Sequence, residues 1–276
     1  VEAAPLDRDA LRRALAPPSG PWASLEVVTR TGSTNADLAA RAADPATPDR
    51  TVLVAEHQDA GRGRRDRVWS DRAGEGLTFS VLLRPREVAV ERWGWAPLLA
   101  GLALVEAVGE VTGGDVPAAL KWPNDLLLGP GQGKGAGVLA EVAEGGDERA
   151  LVVGIGLNVG TAAADLPAGG TSLAAEGAGH LGRETVLVAV LRALADLDGR
   201  WRSAYGDVAA AGLVDDYRAR CATLGREVTV TLPGGRVLEG RAVDVDRDGR
   251  LAVRDTGGDT TVVSAGDVVH VRPAGR

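Results

Sequence analysis

Four arginines crowd into AGRGRRDRVW, residues 60–69: Arg62, Arg64, Arg65 and Arg67, interleaved with Gly61 and Gly63. Glycine lets the backbone approach a ligand closely, and the guanidinium fork offers paired donors to a phosphate or carboxylate. The spacing suits a loop that folds over an anion. On this loop alone, a solvated basic turn explains the residues equally well. A nucleic-acid patch fits less well, because no aromatic platform accompanies the loop and the chain is acidic, with a formal net charge of −7.

Two further segments carry the chain's lysines. Of 31 basic residues only Lys121 and Lys134 are lysine. Where lysine survives such a bias toward arginine, the site can need a compact ammonium that a planar guanidinium does not imitate. Lys121 lies in LKWPNDLLL (120–128), where Pro123 breaks the strand and Asn124-Asp125 stand at the turn. Asn-Asp after proline is ordinary turn chemistry; a carboxylate at a strand end can also hold a metal or orient an amine. Lys134 lies in GKGAGVLAEV (133–142), flanked by glycines at the entrance of an apolar strand. Asn158 puts an amide into the apolar run GIGLNVG (154–160), and taken alone a core amide satisfied by the backbone is the better reading.

Several chemistries are excluded or unsupported. Gly133-Lys134 is not the end of a Walker loop, since Leu128 stands where the first glycine belongs and Gly135 replaces the Ser/Thr. In GIGLNVG the third glycine falls one residue late for a dinucleotide fingerprint. His57, His180 and His270 show no metal-ligand spacing, and Cys221 is the lone cysteine. A single cysteine and no signal peptide point to the cytoplasm. No apolar run is expected to reach bilayer-spanning length.

The elements that must position these residues follow from hydrophobic period. Residues 6–16, 36–43 and 96–111 read as helices, and 184–203 and 207–220 as two more. Strands are expected at 25–31, 51–56 and 77–84, then over AALKW, DLLL, GVLAEVAE and ALVVGIGLNVG. The Gly/Ala-rich stretch 161–180 reads as a surface loop. The reading is an α+β fold, a mixed β-sheet flanked by helices, over residues 1–222. From 223 to 276 the pattern turns to period two with Pro233-Gly234-Gly235, Asp248-Gly249 and Gly257-Gly258 turns, which predicts a small SH3-like β-barrel leaning on the larger domain.

In order, TGSTN (31–35), EHQDAGRGRRDRVW (56–69), KWPND (121–125), GKGAGVLAE (133–141) and GIGLNV (154–159) form a set that resembles the biotin–protein ligase family. The resemblance spans the large domain and implies the class II synthetase-like fold with the SH3-like tail. It implies an ATP- and Mg²⁺-dependent enzyme that makes biotinyl-5′-AMP and passes biotin to a lysine of a carboxyl carrier domain. Lys134 then matches the lysine between the biotin carboxyl and the α-phosphate. Ser33, Thr34, Asn35, Gln58, Arg62, Gly63, Arg64, Trp69 and Gly137 match the biotin side. Arg64, Arg67, Trp69, Trp122, Asn124, Asp125, Lys134 and Asn158 match the adenylate side. Arg67 and Asp125 join Lys134 as catalytic candidates, and Asp125 is also the candidate for Mg²⁺. Asp66 departs from the glycine common at its position. With the first motif near residue 31, no room is expected for a DNA-binding helix-turn-helix, so a ligase without promoter DNA is implied. Family members pair through a sheet edge, which allows a homodimer. A lipoate or octanoate ligase or transferase is the nearest alternative enzyme, and a biotin sensor the non-enzymatic one. The loop 61–67 is expected to order on the adenylate.

Overall fold

The computed structural model describes residues 4–64, 67–69, 72–145, 148–232, 234–264 and 267–270. Arg65 and Asp66 of the arginine loop, and Pro233, lie outside them. Helix α1 (Arg8–Leu15) opens the chain, capped by the Asp7 carboxylate, which accepts from the Asp9 and Ala10 amides. Strand β1 (Ser24–Val28) is followed by α2 (Thr34–Arg41), whose N-cap is Ser33. Then come β2 (Thr51–Ala55), β3 (Gly76–Leu83), α3 (Ala96–Thr112), β4 (Ala118–Lys121), β5 (Asp125–Leu128), β6 (Gly133–Gly145) and β7 (Glu148–Asn158). Helices α4 (Arg183–Ser203) and α5 (Leu213–Arg220) close the larger unit.

The seven strands form one sheet in the order β1-β2-β3-β7-β6-β5-β4. Only β1 and β2 are parallel, and the other neighbours are antiparallel. Side chains alternate across a sheet, so its two faces can be read from register. One face carries Leu77, Phe79, Val81, Val153, Ile155, Leu157, Leu126 and Leu128, which join the apolar residues of α3 and α4 in the main core. The opposite face is divided. Where α2 lies on it, Leu38 and Ala42 pack on Leu53, Leu82, Ala143, Ala150 and Val152. Beyond the helix the same face carries Thr78, Gly156, Gly137 and Asp125 in one cross-strand row. That row has too little side chain to fill its space, and a cleft results.

Two sequence expectations need correction and a third needs refining. Helix α5 begins at Leu213, because the Asp207 carboxylate caps Ala209 and Ala210 in a separate turn that ends at Gly212, with φ 72°. A helical stretch from Val90 to Thr112 is long and apolar enough to span a bilayer, contrary to the sequence reading. Its Leu98, Leu99, Leu102 and Leu104 are almost fully buried in the core. The 161–180 stretch is a surface loop over most of its length, with residues 162–165 and 167–169 exposed, but it dips inward at Thr171, Ser172 and Leu173, which are buried.

The C-terminal strands β8 (Glu227–Thr231), β9 (Val237–Val245), β10 (Leu251–Arg254), β11 (Thr260–Val263) and β12 (Asp267–His270) form an antiparallel sheet ordered β11-β10-β9-β8-β12. Strand β12 returns to pair with β8. This SH3-like unit has no separate core. Val230, Val245, Leu251 and Val253 belong to the same buried cluster as α3 and β4. Trp95 and Trp122 cross the junction, and their indole N–H groups donate to the Arg247 carbonyl (2.7 Å) and the Gly249 carbonyl (2.9 Å).

Candidate active site

The cleft on the glycine-bearing face has an empty volume of about 1060 Å³, open solvent at its mouth included. The residues expected from sequence on both the biotin and adenylate sides line it: Ser33, Thr34, Asn35 and Gln58, then Arg62, Gly63, Arg64, Arg67 and Trp69, then Trp122, Asn124, Asp125, Lys134 and Gly137. Lys121 lines it too. Asn158 is the exception. Its amide Nδ2 donates to the Thr171 carbonyl at 2.9 Å, and it does not reach the cleft wall. The expected direct contact is replaced by the backbone-satisfied amide.

Lys134 owes its orientation to an irregularity. Register between β5 and β6 runs Asp125↔Gly137, Leu126↔Ala136 and then Leu127↔Lys134, with a bulge at Gly135. Without the extra residue, alternation would turn Lys134 away from the face that carries Asp125 and Gly137. With it, Lys134 Nζ sits 2.7 Å from Asp125 Oδ1 in an ion pair whose carboxylate is largely buried. Lys134's backbone is clamped from the other side. Its N–H donates to the Gly169 carbonyl (2.8 Å), and its carbonyl accepts from the Thr171 N–H (2.9 Å).

The pocket's far end is a row of polar groups supplied by α2 and β3. Gln58 Oε1 accepts from the Thr34 N–H at 2.7 Å. The Thr34 and Ser80 hydroxyls are 2.7 Å apart, and Ser80 donates to Asn35 Oδ1 at 2.6 Å. Ser80 is fully buried, and Thr78 and Ser80 are the two hydroxyls in an otherwise apolar strand. Neither was singled out from sequence, though polar residues at period two in LTFSVLL are the signal that finds them. Asn35 packs against Gly154 with its amide oxygen foremost, where a Cβ would overlap it. Trp69 packs likewise against Gly156. The glycines of GIG thus serve close approach across the sheet.

The arginine loop is a small hairpin over its described residues. Gly63 N–H donates to the Arg67 carbonyl (2.7 Å) and Trp69 N–H to the Gly61 carbonyl (2.9 Å). Arg64 donates to Asn124 Oδ1 at 3.2 Å, tying the loop to the proline turn. Asn124 in turn donates to the Val138 carbonyl and accepts from the Val138 N–H through its backbone. The turn follows a cis Trp122–Pro123 peptide. The Trp122 N–H donates to Thr223 Oγ1, and Thr223 meets His270 Nε2 at 3.0 Å. Burial pushes the His270 imidazole down to about 4, helped by Lys121 and Arg226 nearby. Val268 and Val269 of β12 reach the cleft mouth, a contribution no sequence motif announced.

In a chain of net charge −7, this cleft collects, among the described residues, Arg62, Arg64, Arg67, Lys121 and Lys134 against one carboxylate, that of Asp125. That balance defines a site for joined anions beside an apolar body. The biotin/lipoate A/B protein ligase family model matches residues 27–158, and the biotin protein ligase C-terminal domain model matches 223–271. The chain is 46% identical to the biotin–[acetyl-CoA-carboxylase] ligase of Mycobacterium tuberculosis over 97% of each sequence. It is 32% identical to that of Paracoccus denitrificans, across 87% of this chain and 98% of that one. The biotin protein ligase of Aquifex aeolicus, solved in complex with biotin and ATP, superposes with a TM-score of 0.73 at 27% identity. That match covers 91% of this chain and all of the other. The chain belongs to the biotin protein ligase family.

Proposed function

We propose that the protein joins biotin to ATP as biotinyl-5′-AMP, with release of pyrophosphate, and then transfers biotin to a lysine of a carboxyl carrier domain. The observation that carries this is the Lys134–Asp125 pair at 2.7 Å, set in a cleft of cations beside a row of polar side chains. The biotin ring's urea wants donors and an acceptor, which Asn35, Thr34 and Gln58 supply at the cleft wall, with Ser80 behind them holding Asn35. Its valeryl chain extends past Trp69 toward Lys134.

In the first step two anions meet, and negative charge grows on the α-phosphate oxygens as the carboxylate oxygen attacks and pyrophosphate leaves. Lys134, Arg64 and Arg67 are fixed cations for that charge. In the second step the carrier amine attacks the acyl carbon, the C–O bond to AMP breaks, and the amine gives up a proton. Asp125, pre-set by Lys134, orients that amine. Mg²⁺ fits as a nucleotide-borne ion. The described residues contain no cluster of three acidic, His or Cys side chains, and Asp125 is the one carboxylate among them in the cleft. An ion held mainly by phosphates and water matches magnesium's habits and supplies charge neutralisation on ATP. Asn158 serves the adenylate side through Thr171 and the Lys134 backbone.

The division into 1–222 and 223–276, a cytoplasmic location away from membranes, and the absence of specific DNA binding belong to the same reading. The lone Cys221 is buried and free. A homodimer would form along the sheet. The test is incubation with biotin, Mg·ATP and a purified carrier domain, reading biotin addition by mass. Modification that lipoate does not replace is expected; lipoylation in its place moves the assignment to the lipoate branch.

A further inference from the structure

Glu141 belongs to none of the roles above, and it does not line the cleft. It stands on β6 one row beyond Leu139, on the same face as Gly137 and Asp125. Its Oε2 accepts from Asn35 Nδ2 at 2.8 Å and lies 3.3 Å from an Arg62 guanidinium nitrogen. Its side chain keeps 33% of its exposure, Arg62 keeps 49%, and Asn35 is buried. One carboxylate oxygen therefore touches both the polar end of the pocket and the arginine loop.

The two contacts do different things. A carboxylate only accepts, so it compels the Asn35 amide to present Nδ2 toward β6 and Oδ1 toward Ser80. The pocket's polar row is thereby given one direction. The same negative charge draws the Arg62 side chain toward the sheet, and Arg62 pairs through its backbone with Val68 across the loop hairpin. Without a fixed partner, a half-exposed arginine on a glycine-flanked loop has no reason to stay over the cleft.

We propose that Glu141 is a positioning residue that latches the arginine loop to the pocket's polar row, so that the bound adenylate is retained until the carrier lysine arrives. This rests on the adenylation reading above. Retention matters chemically, since a mixed anhydride that escapes reacts with any amine. The nitrogen attacks the acyl carbon, the amide forms, the C–O bond to AMP breaks, AMP leaves, and water takes the proton.

The test uses the full chain and two substitutions. Glu141→Gln keeps an acceptor for Asn35 and removes the charge facing Arg62; Glu141→Leu removes both. Biotin-dependent pyrophosphate exchange, biotin KM, thermal midpoint and biotinylation of a bystander protein's lysines without carrier are read for each. For Glu141→Gln, exchange near wild type is expected with bystander labelling raised about two- to fivefold, the range of an exposed ion pair. For Glu141→Leu, bystander labelling rises as well and biotin KM increases about tenfold, as for a lost buried hydrogen bond. Bystander labelling no higher than wild type in both variants overturns the latch. So does labelling that falls in step with exchange and thermal midpoint, since that is a scaffold residue. Wild-type protein without biotin-dependent exchange overturns the adenylation reading itself, a distinct result.

Discussion

At the scale of residues, the chemistry depends on which way a few side chains face. Lys134 reaches Asp125 because the bulge at Gly135 inserts one residue into β6. The motif GKGAG announced glycines near a lysine, but nothing in its spacing said that the pairing would slip there. Asn35 was legible as a candidate from TGSTN, whereas Ser80 and Glu141, which set its orientation, were not. Their significance depends on registers between distant strands. Gly154→Ala tests the close approach. The added methyl collides with a buried amide that is held on both sides, so the Asn35 row must shift. A rise in biotin KM of about tenfold or more is expected from the lost or misaligned hydrogen bond, measured by exchange kinetics. An unchanged KM would remove Asn35 from the pocket's working parts.

At the scale of elements, most helices and strands could be read from hydrophobic period, and what the period did not show is the buried part of the 161–180 loop. Its Gly/Ala composition looked like loop, yet Ser172 Oγ donates to the Thr161 carbonyl and accepts from the Ala175 N–H, folding it back on itself. The fold-back brings Gly169 and Thr171 alongside Lys134, where they pair with its backbone. Composition cannot reveal a tertiary partner of that kind. Asn158 fastens the clamp, since its amide holds the Thr171 carbonyl and its own carbonyl accepts from the Leu173 N–H. Asn158→Leu leaves a buried carbonyl without its donor and is expected to cost about 1–3 kcal/mol of stability. It should also lower kcat for exchange more than it raises biotin KM, because the clamp steadies Lys134 rather than the ring pocket. Denaturant unfolding and exchange kinetics on one preparation separate the two effects. Loss of stability with kcat intact would reduce Asn158 to a packing role.

At the scale of the whole molecule, the C-terminal sheet is part of the catalytic unit. The change to period-two patterning near residue 223 made it visible, but the two tryptophans that fasten it lay in segments read for other reasons. Trp122 is almost fully buried and hydrogen-bonded to Gly249. Trp122→Ala should cost about 3–5 kcal/mol and depress exchange along with stability, since Asn124 and Asp125 follow directly in the turn. Removal of 223–276 should expose Trp95 and Trp122 and leave a chain that aggregates, visible by light scattering; a soluble, exchange-active fragment would contradict the shared core.

The junction is also pH-sensitive. Thr223 Oγ1 already accepts from the Trp122 N–H, so its own hydroxyl proton suits a neutral His270 Nε2. The folded protein holds His270 near 4 against 6.5 for the free side chain. Above pH 6.5 the imidazole is neutral in both states and contributes no pH dependence. As pH falls from 6.5 toward 4 the unfolded chain binds a proton that the folded one refuses, and stability declines until both are protonated. The wild type should therefore lose more of its urea midpoint between pH 7 and pH 5 than His270→Gln does. Equal losses would mean that the imidazole titrates normally in the fold.

Adenylation centred at Lys134 is the step on which the other roles of the cleft depend. The decisive measurement is exchange of labelled pyrophosphate into ATP with biotin present, on wild type and on Lys134→Ala with a matched thermal midpoint. Biotin-dependent exchange that drops by about two orders of magnitude or more in the variant is the predicted result, the scale on which a preorganised charge acts in a transition state. Exchange that survives the substitution, or that ignores biotin, would contradict it.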